Sequence, residues 1–173
     1  MNLIVTCARH FEGETEQEIE LILDELGDDN PQISMSEFSG ILYINTSIEP
    51  LDVIKKIRQK MEDEPWSVRY AMRIIPISQI TKTDVKEIAD AAIKQAKKLE
   101  LNHTYRITIE KRNSSISSGD IITQIANKIP NKVSLEKYDW IVLVEILGTI
   151  TGVSLLRDED ILSIHREKRG SLE

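Results

Sequence analysis

The sequence is poor in cysteine and in aromatic residues, and each shortage excludes a class of protein. The single cysteine, Cys7, cannot form an internal disulfide, so the chain is not a disulfide-stabilised scaffold. One lone cysteine is typical of a reducing compartment. Aromatic residues make up only 5% of the chain, so isoleucine, leucine and valine must build the core. The length of 173 residues allows one or two small domains.

Long apolar runs are also missing. The longest one, Trp140–Leu147, contains Glu145 and is far too short to span a bilayer. The first eight residues are largely apolar, but Arg9, His10 and a strongly acidic segment follow them, which is not the pattern of a signal peptide. These features predict a soluble, cytoplasmic protein with no membrane partner.

The motifs that identify common enzymes are absent as well. The sequence has no glycine-rich dinucleotide fingerprint, no P-loop, no nucleophile elbow and no Cys/His set at metal-ligand spacing. His10, His103 and His165 lie in different segments, and Cys7 has no evident third partner beside His10. The acidic residues 158–160 are more typical of a solvated helix start than of a cation site. We therefore expect no catalytic residue, no metal and no cofactor.

Charge is distributed unevenly along the chain, whose net charge is −7. Residues 1–66 carry 5 Lys and Arg against 15 Asp and Glu, residues 67–135 carry 12 against 6, and residues 136–173 carry 5 against 8. Proteins that bind phosphate backbones without specificity are usually basic overall. A basic middle between acidic ends indicates a local, oriented anion-binding surface instead.

The first part of the chain has the periodicities of an α+β domain. Residues 15–26 place Ile19, Ile22, Leu23 and Leu26 on one helical face. Strands are predicted at residues 3–8, 32–36, 40–46 and 68–78, and helices at 15–26 and 50–61. This βαββαβ order is that of a ferredoxin-like domain, with both helices on one face of an antiparallel sheet.

The strand predicted at residues 68–78 carries two arginines. Every second residue from Val68 to Ile74 is apolar and falls on one face, which puts Arg69 and Arg73 together on the other face. Two alternatives follow from this placement. The arginines pair with carboxylates of the acidic first part of the chain, or they bind an anionic ligand.

The second part of the chain alternates helices and strands and predicts an α/β domain. Ser117 can cap a helix with Asp120 at its third position, and Pro130 ends that helix. Glu145, inside an apolar strand, is predicted to pair with a nearby cation or to face outward. Helices are predicted at residues 83–101 and between Ser117 and Pro130, and strands at 105–110, 140–147 and 150–156, the last two joined as a hairpin.

Basic residues of the middle segment form two clusters. Three lysines near the end of the helix at 83–101 share one face; the alternative is an ordinary solvated face, because the helix dipole favours lysines there. Residues 111–113 follow a strand and precede a helix N-terminus, which favours an anion site; the alternative is a polar loop without a ligand. The complete set of candidate binding residues is Arg69, Arg73, Lys94, Lys97, Lys98, Lys111, Arg112, Asn113, Lys128 and Lys132.

Three segments resemble THUMP-domain proteins, specifically the small stand-alone adaptors that serve tRNA cytidine acetylation. Residues 69–77, RYAMRIIPI, resemble the stretch that links the two halves of those adaptors. Residues 105–113 resemble the THUMP strand that ends in a basic loop, and residues 133–156 resemble the hairpin that closes the domain. One departure is visible, because Tyr138 stands where many relatives have proline before Asp139.

The resemblance implies a ferredoxin-like domain at residues 1–78, a THUMP domain at 79–160 and a charged tail at 161–173. It also implies that the two domains together hold the acceptor end of tRNA, which makes the basic residues given above the candidate RNA-binding residues. Because the chain ends soon after the hairpin, we expect the chemistry to come from a partner enzyme, an RNA cytidine acetyltransferase. The alternatives are a small-ligand sensor or structural subunit on a ferredoxin-like fold, and an enzyme with an unrecognised site.

Overall fold

A computed structural model describes residues 1–170 of the chain, in which mixed helices and strands form two units. Unit 1 contains Met1–Pro76 together with the segment that begins at Asp160, and unit 2 contains Ile77–Glu159. No helix within residues 1–170 has both the length and the apolar character needed to cross a membrane. In chain order the elements are β1 (Leu3–Cys7), α1 (Glu12–Leu26), β2 (Gln32–Met35), β3 (Ile41–Asn45), α2 (Pro50–Asp63), β4 (Ala71–Pro76), β5 (Gln79–Lys82), α3 (Val85–Ala96), β6 (Tyr105–Arg112), α4 (Ser118–Lys128), β7 (Trp140–Leu147), β8 (Ile150–Leu156), β9 (Leu162–Ser163) and α5 (Ile164–Gly170).

Unit 1 is an antiparallel sheet with the strand order β2-β3-β1-β4-β9. Its first six elements follow the predicted βαββαβ order. Helices α1 and α2 bury one stripe each, including Ile19 and Ile57, in a core shared with Leu42 and Ile44 of β3. Both helices therefore cover one face of the sheet, because their buried residues belong to the same cluster.

Strand β4 begins later than predicted and contains an irregularity. Thr6 of β1 lies opposite Arg73, but Cys7 lies opposite Ala71, so Met72 is an extra residue on β4. As a result Ala71 is buried and Met72 is 39% exposed. The predicted simple alternation from Val68 was wrong because it assumed an uninterrupted ladder.

The end of the chain corrects a second expectation, since residues 161–173 were predicted as a charged tail. Leu162 of β9 lies opposite Ile74 of β4, and both Leu162 and Ile164 are buried in the core of unit 1. Helix α5 follows, and Glu167 forms an ion pair with Arg58 of α2 at 2.9 Å. Two buried apolar side chains and one ion pair thus connect this strand and helix to the rest of unit 1. Residues 171–173 lie outside the described part.

Unit 2 has the strand order β5-β8-β7-β6, in which β6 and β7 are parallel and the other pairs are antiparallel. Helices α3 and α4 pack on one face, where Ile88 and Ile121 join Val142 and Val144 in a common core. The hydroxyl of Ser117 accepts a hydrogen bond from the Asp120 amide at 3.2 Å, which confirms the predicted cap of α4.

Strand β5 is an element that the sequence did not predict. Its register with β8 places Ile80 opposite Gly152. A side chain at Gly152 would meet the side chain of Ile77 at 3.0 Å, so glycine provides the space that Ile77 occupies. Strand β5 thereby becomes an edge of the sheet and brings Lys82 to the end of that edge.

Candidate RNA interface

The ten residues predicted to bind a ligand are not brought together into one cluster. Two of them belong to unit 1 and eight to unit 2. Within unit 2 they lie at the two opposite ends of the sheet and on α3. The groups are Lys111, Arg112 and Asn113 at the end of β6; Lys97, Lys98, Lys128 and Lys132 at or just after the C-terminal ends of α3 and α4; and Lys94 within α3.

One end of the sheet in unit 2 carries a row of aligned residues that we call the hairpin edge. The row runs Lys82, Ile150, Leu147 and Arg112 across the four strands. Lys82 and Arg112 therefore mark its two sides, with the β7–β8 turn between them. Lys82 was not among the predicted binding residues because strand β5 was not predicted. The alternation of polar and apolar residues in β5 extends over only four residues, which is a weak signal for a strand.

Two helices begin at the hairpin edge. Asp84 caps α3 by accepting from the Glu87 amide at 3.0 Å, and Ser117 caps α4. The Thr83 amide donates to the Thr149 carbonyl of the β7–β8 turn at 3.0 Å, which fixes the start of α3 at this edge. The N-termini of helices carry partial positive charge, but Asp84 and Glu87 of α3 and Asp120 of α4 lie there and offset it. The attraction of this edge for anions therefore comes from its lysines and Arg112.

The loop after β6 has a defined shape. The carbonyl of Arg112 accepts from the Gly148 amide at 2.9 Å, and Asn113 then turns the chain with a φ of 50°. Asparagine tolerates this left-handed conformation better than most residues. The ammonium of Lys111 donates to the Ile116 carbonyl at 2.9 Å, yet Lys111 remains exposed. The loop thus presents a cation and a polar side chain toward solvent.

Arg112 is held by a buried carboxylate. Its guanidinium donates to Glu145 at 3.1 Å, and the Glu145 side chain is 1% exposed while that of Arg112 is 31% exposed. The predicted pairing of Glu145 with a cation is confirmed. Because guanidinium has five donors in a fixed fork, the bond to Glu145 orients Arg112 and leaves other donors for a ligand.

The opposite end of unit 2 holds a second set of lysines, which we call the helix-end cluster: Lys97, Lys98, Lys128 and Lys132. Asn131 connects the segments that follow α4 and α3, because its side-chain amide donates to the carbonyls of Glu100 and His103 at 2.7 and 3.0 Å. The cluster lies beside the start of β6, where the Lys132 carbonyl accepts from the Tyr105 amide. Eight residues of β6 separate it from the hairpin edge, roughly 23 Å at a rise of about 3.3 Å per residue.

The helix-end cluster and Lys94 have an explanation that needs no ligand. Lysines are stabilised at helix C-termini by the dipole, whose carbonyl end repels anions. Lys94 lines a depression of about 580 Å³ beside β5, together with Glu87, Asp90 and Lys82 of the hairpin edge. The two carboxylates weaken the attraction of this depression for phosphate, so the better candidate is the hairpin edge on the side of Lys111 and Arg112.

The two arginines of unit 1 do not share a strand face as predicted. Arg69 precedes β4 and is exposed, with its guanidinium 5.9 Å from the ring centroid of Tyr70. Arg73 lies within β4, half-buried, opposite Thr6 on one side and Ser163 on the other. The irregularity in β4 and the later strand start separate the two side chains.

Asp139 stands beside the position where the sequence departs from the adaptor pattern. Its carboxylate accepts from the Thr104 amide at 2.8 Å and from the Thr104 hydroxyl at 3.2 Å. The hydrogen bond from the Thr104 amide holds the pKa of the Asp139 carboxyl below its usual range. The turn before β7 is thus fixed by this carboxylate.

Within residues 1–170 no group of three or more His, Cys, Asp or Glu side chains is arranged to hold a metal ion.

Comparison with known proteins identifies unit 2. Residues 82–156 match the THUMP domain family, so the chain contains a THUMP domain, as the sequence resemblance predicted. A THUMP domain implies RNA binding. No curated protein sequence matches the chain.

Solved structures resemble the chain over both units. PH1313 from Pyrococcus horikoshii Ot3 is 18% identical with a TM-score of 0.66, over 91% of this chain and 55% of that one. TrmN from Thermus thermophilus is 10% identical with a TM-score of 0.56, over 90% and 45%. A 4-thiouridine synthetase, solved as an RNA complex with bound ATP, is 10% identical with a TM-score of 0.56, over 94% and 42%. The chain spans about half the length of these proteins, and the likeness establishes the fold.

Proposed function

We propose that this protein is a tRNA-binding adaptor, which holds the acceptor end of tRNA and presents it to a separate modifying enzyme. The observation that carries the proposal is the THUMP domain at residues 82–156, with Lys82, Lys111 and Arg112 at one edge beside two helix N-termini. The fold shared with a 4-thiouridine synthetase that was solved in complex with RNA supports an RNA ligand.

The hairpin edge supplies the principal phosphate contacts in this proposal. Lys111 and Lys82 provide exposed charge, and Arg112 provides a guanidinium that Glu145 has already oriented. An oriented group loses less conformational entropy on binding than a free one. The helix-end cluster contributes only long-range attraction.

The partner in this proposal is an RNA cytidine acetyltransferase, and that enzyme performs the chemistry. The sequence resemblance to the acetylation adaptors supports this choice. The protein alone should then leave tRNA unmodified in the presence of acetyl-CoA and ATP. Adding it to an RNA cytidine acetyltransferase should raise the rate at which tRNA is acetylated.

Reconstitution tests the proposal directly. Acetylcytidine formed in tRNA is measured with the adaptor alone, the acetyltransferase alone and both together. Turnover by the isolated protein would show that it is an enzyme. No stimulation of the acetyltransferase, although the adaptor binds tRNA, would restrict the protein to RNA binding for another partner. Tighter binding of small metabolites than of tRNA would favour the small-ligand sensor.

A further inference from the structure

A groove lined by both apolar and acidic side chains lies on unit 1, between one face of α1 and the segment that precedes β4. Leu21 is 66% exposed and Trp66 is 70% exposed, unusually high values for large apolar side chains. The ring of Tyr70, stacked on Phe11 at a centroid distance of 5.7 Å, continues the apolar surface. The groove has a volume of about 430 Å³.

Acidic side chains surround this groove. Glu14, Glu18 and Glu25 lie on the same face of α1 as Leu21, and Glu64 lines the groove from the other side. Lys60 also lines it, but this lysine is engaged by Glu25 at 2.6 Å and by Glu64 at 3.7 Å. All of α1 contains seven Asp and Glu and no Lys or Arg. Arg69 lies beside Tyr70 and adds one positive charge, but four glutamates against Lys60 and Arg69 leave the surroundings of the groove net negative, which repels phosphate and attracts cations.

Hydrogen bonds join one wall of the groove to α1. The carboxylate of Glu18 accepts from the amides of Arg69, Tyr70 and Ala71 at 2.5 to 3.2 Å, which fastens the segment before β4 to α1. A pre-formed wall lowers the entropic cost of binding a partner. Exposed aromatic side chains inside a polar rim are also typical of protein–protein contact sites.

We infer that this groove is a docking site for a Lys- and Arg-rich segment of a partner protein, which places an apolar side chain between Leu21 and Trp66. The charge of the rim argues for a basic protein segment and against RNA. The inference deepens the proposed function, because the modifying enzyme is the natural owner of such a segment. It concerns unit 1 alone and does not require that the hairpin edge bind tRNA.

The first test uses a short amphipathic peptide of lysine and leucine as the probe, with a version in which glutamate replaces lysine as the control. The lysine peptide should shift the fluorescence of Trp66 to the blue in a saturable manner, and Trp66→Phe should remove the shift. Glu14→Lys should weaken binding by about tenfold, since it puts a repelling charge on the rim. Glu20→Lys makes the same charge change on α1 outside the groove and should change affinity by less than about twofold.

The second test uses the RNA cytidine acetyltransferase and tRNA as separate probes of the same variants, after circular dichroism has shown that they are folded. Glu14→Lys and Trp66→Ser should weaken binding of the enzyme and leave tRNA affinity unchanged.

Equal effects of Glu14→Lys and Glu20→Lys on peptide affinity would overturn the docking site, because only overall charge would then matter. Loss of tRNA affinity in Glu14→Lys would assign the groove to RNA and also overturn it. If the peptide binds as expected but wild type does not bind the acetyltransferase, the docking site stands and the proposed partner is wrong.

Discussion

Replacing Arg112 by alanine should destabilise unit 2 because it removes the guanidinium that donates to a buried carboxylate. The bond joins Arg112 to Glu145 at 3.1 Å, and Glu145 is 1% exposed. Losing one partner of a fully buried ion pair costs about 3–5 kcal/mol, and a hydrogen bond to a charged group contributes about 1.5–3 kcal/mol. Arg112 is about one-third exposed, so water compensates part of the loss. We expect a decrease in the free energy of unfolding of about 1–3 kcal/mol.

Urea unfolding of a double-mutant cycle measures this contribution. Arg112→Ala should cost the expected amount, and the double variant Arg112→Ala/Glu145→Gln should cost less than the two single variants added together. The coupling should be about 0.5–3 kcal/mol, as for residues in direct contact. The exposed neighbour Lys111 provides the control, since Lys111→Ala should change stability by less than about 0.5 kcal/mol.

The result bears on RNA binding as well. If Arg112→Ala has the same free energy of unfolding as wild type, or if the effects of the two substitutions are additive, the ion pair does not stabilise the fold and the reasoning is refuted. If the coupling is found, tRNA affinity must be compared between Arg112→Ala/Glu145→Gln and Glu145→Gln. The loss of the guanidinium should then weaken binding by about 1–2 kcal/mol, in the range of one charge-assisted hydrogen bond.

Three further predictions concern unit 1. Glu18→Gln should lower the free energy of unfolding by about 1–3 kcal/mol in urea titrations, because three amides lose a charged acceptor; no loss would show that the charge of the acceptor does not contribute. The Thr46 hydroxyl lowers the pKa of Asp28, so this carboxylate stabilises the fold above its unfolded pKa of about 3.9 and loses that effect as pH falls through the lower folded value. The difference in thermal stability between wild type and Asp28→Asn should therefore be largest near neutral pH and shrink in acid; a constant difference would contradict it. Gly40→Ala should destabilise by at least about 1 kcal/mol, because φ is 76° and the new Cβ would lie 2.5 Å from the Cys7 carbonyl oxygen; an unchanged melting temperature would show that the turn relaxes.

Local patterns in the sequence predicted most of the helices and long strands. The spacing of Ile19, Ile22 and Leu23 places them on the buried side of α1, and Ser117 caps α4 as its position suggested. These features depend on interactions within a few residues, which a single sequence displays directly. The resemblance at residues 105–113 and 133–156 likewise predicted a THUMP domain, and residues 82–156 match that family.

The features that were missed depend on pairing between distant segments. Strand β9 is only two residues long and exists because β4 lies beside it. The extra residue at Met72 depends on the register with β1, which alternation along one strand cannot reveal. Lys82 joins the hairpin edge only through β8. Glu145 was predicted to pair with a cation, but not with Arg112, which lies 33 positions away in the sequence. The residue types at the candidate site were therefore predictable, whereas their grouping was not.

The affinity of folded tRNA for charge-reversed variants tests the central claim most directly. We expect Lys82→Glu/Lys111→Glu, at the hairpin edge, to weaken binding by at least about tenfold, and Lys97→Glu/Lys98→Glu, in the helix-end cluster, to weaken it much less. For wild type, the logarithm of the association constant should fall with the logarithm of salt concentration with a slope on the order of 3–6, and tRNA should bind more tightly than duplex DNA. A larger effect of the helix-end variant, or equal affinity for tRNA and duplex DNA at physiological salt, would contradict the account.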